Sequence, residues 1–337
     1  EVDNRLHERG EISKRSTLQF FDTSAKTFLN GRQVIGRCPI QGCKSEKAYA
    51  DECDLGHQFE PEELIAPKSQ LTGEVPELRP VDNLYFDLPA YLDFMKDYTA
   101  ELARDPQVRS VVSKTMEEWL LPAQLYIQNK FREAFDDIES ELPEHTIVEP
   151  EGNKSSFTVV FPSWKERDEA HAVLGRGGVR FRSGKALVPF RITGNITWGV
   201  PVPEIDGVHD VTCWCWPESL WAPISYTRAV LARDAKRLGI TEGVAAQDAA
   251  LMGEPSVDST QVPEPPYAHG SLDWHDWWCS DDAAIYQFIG QDNIYFYCIA
   301  QTAMWEALDW NLHQSTVSAN YHLLYMGKKA SSSSQTP

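Results

Sequence analysis

The chain has 337 residues, with 31 Lys and Arg against 50 Asp and Glu, which gives a net charge of −19. This balance excludes a strongly basic nucleic-acid-coating protein but leaves room for a local basic surface. Hydrophobic residues make up 42% of the chain, and the apolar runs all fall short of the roughly 18 residues that span a bilayer. The length favours about two domains.

A cysteine-rich segment comes first in chain order. It contains Cys38 and Cys43, followed by Cys53 and His57, with glycines that allow sharp turns between them. Two short-spaced pairs of soft ligands can surround zinc tetrahedrally, so we predict a closed structural site with these four ligands. The alternative is a metal-free knuckle with partly buried thiols. The odd cysteine count and the charged N-terminus favour a reducing cytoplasm over a secreted, disulfide-linked protein.

The middle of the chain alternates between helical and strand patterns. The aromatic run 83–88 predicts a strand, and apolar spacing near 3.6 predicts helices over 91–102, 108–120 and 123–142. Residues 156–190 predict a small βαβ insert, whose last part carries cations with no acid among them. We interpret these cations as a candidate phosphate-contacting face, or alternatively as a charge-protected edge strand: Arg176, Arg180, Arg182, Lys185 and Arg191.

Three further motifs follow in the last third of the chain. The segment 216–226, between a predicted strand (211–216) and a predicted helix (227–237), has aromatic and small residues suited to an apolar pocket or to a plain core. The run 286–297 predicts a strand that ends at Gly290, with Asp292 placed to bind ribose hydroxyls before a helix. Finally, Lys329 and the serines after it follow an apolar strand and could hold a polyphosphate or simply be solvated.

Taken in order, these segments resemble the methionyl-tRNA synthetase family of class I aminoacyl-tRNA ligases. The resemblance covers most of the chain and includes the cysteine knuckle. Its other matches are the segments 63–69, 87–89, 198–203, 222–226, 288–292 and 329–333, the last resembling a serine-rich variant of the family's Lys-Met-Ser-Lys-Ser signature.

The resemblance implies an α/β fold: a partial Rossmann-type catalytic domain of class I with a zinc-knuckle connective insertion and the extra βαβ insert. It also implies ATP-dependent activation of methionine, with Mg²⁺, followed by transfer to tRNA, the methionine tRNA in particular. Lys329 would bind phosphates within a catalytic loop shaped by Ser331, Ser332 and Ser333, while Gly290 and Asp292 would face the adenosine. The methionine pocket would be lined by Trp216, Ala222, Pro223, Tyr226 and Tyr297.

The resemblance further implies a division of the chain. Residues 1–35 would complete the first half of the catalytic domain, 36–89 the connective insert, 90–155 a helical segment, 156–190 the βαβ insert, and 191–337 the second half. Tyr297 stands where many members have histidine. We expect a fragment that lacks the His-Ile-Gly-His segment and the anticodon-binding domain and is inactive alone. The alternative is a noncatalytic tRNA-binding or regulatory relative.

Overall fold

We analysed a computed structural model of the chain. The structure describes residues 2–39, 43, 47–50, 53, 61–152, 154–195, 199–252, 270–312, 316–321, 323–325, 328 and 329. The chain divides into two compact units, one made of Glu1–Thr99 and Met116–Trp214, the other of Ala100–Thr115 and Cys215–Pro337. Across the described segments, every helix is too short or too polar to cross a membrane.

The first unit is built mainly of antiparallel strands. Its elements before the insert are α1 (Val2–Glu8), β1 (Ile12–Asp22), β2 (Thr27–Phe28), β3 (Val34–Arg37), β4 (Ile65–Ser69) and β5 (Glu77–Phe86). Helices α2 (Leu92–Arg104) and α3 (Ser110–Trp119) follow, as their apolar spacing predicts, and each contributes residues to both units. After the insert come β10 (Phe190–Arg191), β11 (Thr193–Gly194) and β12 (Thr212–Cys213).

One four-stranded sheet of this unit has the strand order β10-β5-β1-β2. Strands β1 and β5 form a long antiparallel pair, in register from Ile12↔Phe86 to Phe21↔Glu77. Phe20 and Leu84 are buried on these strands, because alternate side chains of a strand face the core. The separate pair β3 and β4 is antiparallel and carries the cysteine-rich segment between its strands.

An inserted module forms the rest of the first unit. It consists of β6 (Gln124–Gln128), α4 (Arg132–Asp136), β7 (Thr146–Val148), β8 (Ser156–Val160), α5 (Trp164–Arg176) and β9 (Phe181–Ser183). The strand order is β7-β8-β6-β9 and every pair is antiparallel, which is the ferredoxin-like arrangement of two interleaved βαβ halves. The βαβ order within 156–190 is therefore present, as the second half of a larger module.

The predicted helix over 123–142 is wrong. Its first part is strand β6, and only the five-residue helix α4 and two 3₁₀ turns follow it. Leu125 and Ile127 point to a core shared with Phe157 and Val159, so β6 is fixed by pairing with strands far along the chain. Such tertiary pairing overrides the local helical spacing.

The second unit is mainly helical. It contains α6 (Cys215–Leu238), α7 (Val244–Met252), α8 (Trp274–Trp278), β13 (Tyr286–Gly290), a π-helix (Tyr295–Ala300), α9 (Gln301–Leu308), β14 (Thr316–Asn320), β15 (Leu324–Tyr325) and β16 (Lys328–Lys329). Strands β13 and β14 are parallel, in register from Tyr286↔Thr316, and the π-helix and α9 connect them as a βαβ unit. This unit carries the predicted strand ending at Gly290 and the turn after it.

Helix α6 begins twelve residues earlier than the predicted helix over 227–237. Pro223 lies inside it and removes one backbone N–H, which normally destabilises a helix interior. The buried side chains of Leu220, Ile224 and Leu231 pack the helix into the core and offset this cost. The segment 216–226 therefore lies within α6, and the strand predicted over 211–216 is limited to Thr212–Cys213 because the helix begins at Cys215.

Candidate active site and candidate metal centre

A cavity of about 350 Å³ lies in the second unit, along strand β13. Three of the residues predicted from the sequence line it together: Pro223 of α6, Gly290 of β13 and Tyr297 of the π-helix. These residues are far apart in sequence, and the βαβ unit and α6 bring them to one place. The cavity is large enough for a small ligand, and its walls are mainly aromatic and amide side chains.

Gly290 and Asp292 form the turn that leads out of β13. A Cβ atom at Gly290 would lie 2.6 Å from Oδ1 of Asp292, so glycine lets the Asp292 carboxylate fold back against the backbone. Asp292 is exposed and lies in the 3₁₀ turn Gln291–Asn293. A carboxylate held at the carboxyl end of a parallel strand is well placed to accept hydrogen bonds from sugar hydroxyls.

The helical side of the cavity is a stripe of three residues at four-residue spacing: Tyr297, Gln301 and Trp305. Sequence reasoning missed the last two, although helical spacing from Tyr297 was a signal that could have identified them. Trp305 is 2% exposed, and its indole Nε1 has no hydrogen-bond partner in the part of the chain that the structure describes. A buried donor of this kind is unfavourable unless a ligand or water accepts from it.

Gln301 forms hydrogen bonds that link three elements of the cavity wall. Its Nε2 donates to the backbone oxygen of Leu220 at 2.8 Å, and its Oε1 accepts from Nε2 of Gln287 at 2.8 Å. These bonds connect α9 with α6 and with β13. Three of the elements that form the cavity are thus joined by one buried polar side chain, which fixes their relative positions.

The other residues predicted for the amino-acid pocket lie on helix α6, in three different environments. Trp216 stacks on Phe296 of the π-helix, with ring centres 3.7 Å apart and planes at 7°. Ala222 is half-buried and Tyr226 is 69% exposed, and both are outside the set of described residues that line the cavity. The structure thus brings Pro223 and Tyr297 into the cavity, stacks Trp216 on Phe296, and leaves Tyr226 exposed.

Burial raises the pKa of two groups that lie close to Tyr297 in sequence. It raises the pKa of the Tyr295 phenol well above its usual range and raises the pKa of the Cys298 thiol to about 12. Both groups are therefore protonated at neutral pH. The arrangement offers aromatic surface, amide hydrogen bonds and an indole donor, which suits binding and positioning rather than nucleophilic attack by the protein.

The lysine-serine segment is described only in part. Lys328–Lys329 form β16, which pairs with Leu324–Tyr325, so an apolar strand does precede Lys329. Ser331, Ser332 and Ser333 lie outside the described residues. Their contribution to a phosphate-binding loop stays a prediction, as does the role of Lys329.

The cysteine segment does gather three thiols. The sulfurs of Cys38, Cys43 and Cys53 all lie within 4.8 Å of one another, with Cys38 and Cys53 buried. Tetrahedral zinc with Zn–S bonds of about 2.3 Å requires sulfurs about 3.8 Å apart, so a slight contraction around an ion would satisfy it. These residues could hold a metal ion, and the fourth predicted ligand, His57, lies outside the described residues.

Backbone pairing positions these thiols. Ala48 forms antiparallel bridges with both Gly36 and Cys53, so the segment folds back on strand β3 next to Cys38. A Cβ atom at Gly36 would lie 2.8 Å from the backbone oxygen of Ile65, so only glycine allows β4 to approach this closely. The cluster therefore lies next to the two-stranded pair of β3 and β4.

Comparison with known protein families shows to which family the chain belongs. The family model described as tRNA synthetases class I (M) matches residues 1–132 and 181–337. This chain belongs to that family. The match leaves out residues 133–180, which fall entirely within the inserted ferredoxin-like module.

Curated relatives agree with this family. The chain is 26% identical over 334 residues to the methionine–tRNA ligase of Cytophaga hutchinsonii, covering 99% of this chain and 34% of the relative. It is 25% identical over 329 residues to the corresponding ligase of Porphyromonas gingivalis, covering 97% and 33%. The chain thus spans about a third of the length of these relatives.

The similarity of the chain to solved structures is weaker. Mycobacterium tuberculosis methionyl-tRNA synthetase bound by methionyl-adenylate aligns with a TM-score of 0.35 at 15% identity, covering 98% of this chain and 39% of that one. A leucyl-tRNA synthetase from Agrobacterium radiobacter, in a ternary complex, aligns with a TM-score of 0.39 at 10% identity, covering 98% and 52%. The family assignment rests on the family model.

Proposed function

We propose that this chain is part of a methionine–tRNA ligase, which activates methionine with ATP and transfers it to tRNA. The observation that carries the proposal is the cavity that joins Pro223, Gly290 and Tyr297 in a chain of this family. In the first step a methionine carboxylate oxygen attacks the α-phosphorus of ATP and pyrophosphate leaves. In the second step the terminal ribose hydroxyl of tRNA attacks the methionyl carbonyl and AMP leaves.

The residues of the chain would bind and position the substrates. Tyr297 and Trp305 provide aromatic surface for the thioether, because sulfur makes favourable contacts with ring edges. The Trp305 indole would donate to a substrate oxygen, and Asp292 would accept from the ribose. Lys329 would stabilise charge on the phosphates, with the loop at 331–333 around it. Mg²⁺, when bound with ATP, neutralises part of the phosphate charge.

The cysteine cluster supports a structural role for zinc. Cys38, Cys43 and Cys53 are softly ligating groups within one short segment, and His57 would complete a closed site. A closed site has no open coordination position for a reacting molecule. Zinc would therefore hold the connective segment in shape and take no part in adenylate formation.

The proposal is tested by amino-acid-dependent ATP–pyrophosphate exchange. We would measure exchange with each standard amino acid, using this chain alone and together with the polypeptide encoded by its flanking sequence. Exchange stimulated by methionine above all others, in either form, supports the proposal. Exchange that responds only to a different amino acid, or no exchange in either form, contradicts it.

The same assay addresses the alternative of a noncatalytic relative. Rapid methionine-dependent exchange by this chain alone would show that our expectation of an inactive fragment is wrong. Absence of exchange in both forms, with tRNA binding retained, would favour the noncatalytic alternative. The zinc site is tested separately by metal analysis of the purified chain.

A further inference from the structure

The turn between α2 and α3 has a backbone held by its own hydrogen bonds. The N–H of Val108 donates to the backbone oxygen of Asp105 at 3.2 Å. Oδ1 of Asp105 accepts from the N–H of Gln107 at 2.8 Å. Aspartate followed by proline, here Pro106, favours such a turn, because proline fixes φ and the aspartate side chain bonds to the backbone two residues on. Arg109 comes directly after this turn and belongs to the second unit, as β14 does.

The side chain of Arg109 contacts the carboxyl end of strand β14. Its Nη1 donates to the backbone oxygen of Ala319 at 3.0 Å and to Oδ1 of Asn320 at 3.1 Å. Its Cζ lies 5.6 Å from the ring centre of Tyr321. These neutral partners orient the guanidinium without cancelling its charge. Among the described residues, no carboxylate forms an ion pair with Arg109, and its Nε and Nη2 donate no hydrogen bond.

The strand register places this guanidinium beside the turn that follows β13. Asn320 is paired with Gly290 in the parallel sheet of β13 and β14. Neighbouring strands lie about 4.8 Å apart, so the residue that Arg109 contacts is next to the glycine that ends β13 and lines the candidate active-site cavity. Ligands of α/β proteins bind outside the carboxyl ends of parallel strands. Arg109 therefore lies at the same edge of the sheet as Asp292.

We propose that Arg109 binds the phosphates of ATP at this edge, through its Nε and Nη2 groups, while Asp292 accepts from the ribose. A guanidinium suits this role because its planar N–H groups match phosphate oxygens. Its charge would also stabilise the pyrophosphate as it leaves. Asp105 is the acid nearest in sequence, and its Oδ1 already accepts from the backbone of its own turn. The inference rests on the proposed function, which makes ATP a substrate, and adds a residue outside the predicted motifs.

The test is calorimetric binding of ATP with Mg²⁺, of pyrophosphate and of adenosine, to this chain alone and together with the polypeptide encoded by its flanking sequence. Arg109→Gln should weaken binding of ATP and of pyrophosphate about 10-fold or more, because a hydrogen-bonded charge is lost. Adenosine has no phosphate, so its affinity should not change. The control Arg104→Gln removes another exposed arginine, whose Nε donates to the backbone of Ala100 in its own helix, and should bind all three ligands normally.

Two further variants separate phosphate binding from a purely structural role. Arg109→Lys keeps the charge and should lose less ATP affinity than Arg109→Gln. Asn320→Ala removes one acceptor of the guanidinium but leaves its charge in place, so it should also lose less. Urea unfolding of each variant measures any effect on the fold. Unchanged ATP affinity of the Arg109→Gln variant, or an equal loss of ATP and adenosine affinity, would overturn the inference.

These binding measurements contain no amino acid, so the two proposals can fail separately. Methionine-dependent exchange combined with ATP binding that does not depend on Arg109 removes this inference alone. ATP binding that depends on Arg109, with exchange that responds only to a different amino acid or with no exchange, supports this inference and contradicts the methionine ligase. Absence of ATP binding in both forms contradicts both proposals.

Discussion

Replacing Trp305 with phenylalanine should separate ligand affinity from stability. Trp305 is 2% exposed, lines the candidate active-site cavity, and carries an Nε1 donor without a partner among the described residues. Trp305→Phe keeps an aromatic ring in the wall but removes that donor. If the donor serves a substrate oxygen, the variant should lose affinity for methionine or its adenylate while folding normally.

The expected changes in ligand affinity and in stability can each be estimated. A hydrogen bond to a charged acceptor contributes about 1.5–3 kcal/mol, which corresponds to about 10- to 150-fold in affinity. Loss of ring volume destabilises the fold, but removal of a buried unsatisfied donor offsets this by about 1–3 kcal/mol. We therefore expect the free energy of unfolding to change by less than about 1.5 kcal/mol.

Trp278→Phe is the matched control. Trp278 lines the same cavity, but its Nε1 already donates to Oγ1 of Thr227 at 3.0 Å. This variant should lose about 1 kcal/mol of stability and keep its affinity for ligand. We would measure affinity for a non-hydrolysable methionyl-adenylate analogue by calorimetry and stability by urea unfolding. Equal affinity of the Trp305→Phe variant and the parent chain would refute the reasoning.

Three other predictions concern the metal centre and stability. Cys38→Ser should lower the zinc bound per chain, measured by plasma mass spectrometry, and full retention of zinc would contradict the thiolate site. Hydrogen bonds from the backbone of Ala25 and from side-chain hydroxyls lower the pKa of Asp22 from 3.8 to about 2. The stability that Asp22 adds is therefore present above pH 3.8 and lost as the pH falls towards 2. In the Asp22→Asn variant the urea midpoint should change less with pH across that range. Arg228 forms two hydrogen bonds with the buried Asp248 carboxylate, at 3.0 and 2.5 Å, so Asp248→Asn should cost about 3 kcal/mol in urea unfolding. Replacing both partners of that pair with Met and Leu should be nearly neutral, and equal losses in the single and double variants would contradict this.

Local sequence patterns correctly predicted the helices and strands that form without help from distant segments. Helix α2 follows from its apolar spacing after Pro89, and β13 follows from an apolar run that ends at Gly290. Strand β6 was mistaken for helix because only pairing with 156–160 and 181–183 defines it. The first half of the inserted module could not be predicted from the sequence for the same reason, since two short strands and a short helix have little local sequence pattern.

The start of α6 was missed for a different reason. Pro223 suggests a break, yet the helix continues through it because residues on both sides are buried. The site was only partly predictable as well: helical spacing from Tyr297 points to Gln301 and Trp305, but only the fold shows that Pro223 of α6 and strand β13 line the same cavity.

A reaction catalysed by positioning needs a rigid cavity more than it needs reactive groups. Here the rigidity has identifiable sources: the Gln301 hydrogen bonds link α9 to α6 and β13, and the Trp216–Phe296 stack links α6 to the π-helix. Tyr297 lies between these two attachments in sequence, so the backbone that carries it is attached on both sides. Under the proposed function, any change that loosens either attachment should therefore reduce the rate of adenylate formation by the complete enzyme more than it reduces stability, because small displacements of bound substrates cost large factors in rate.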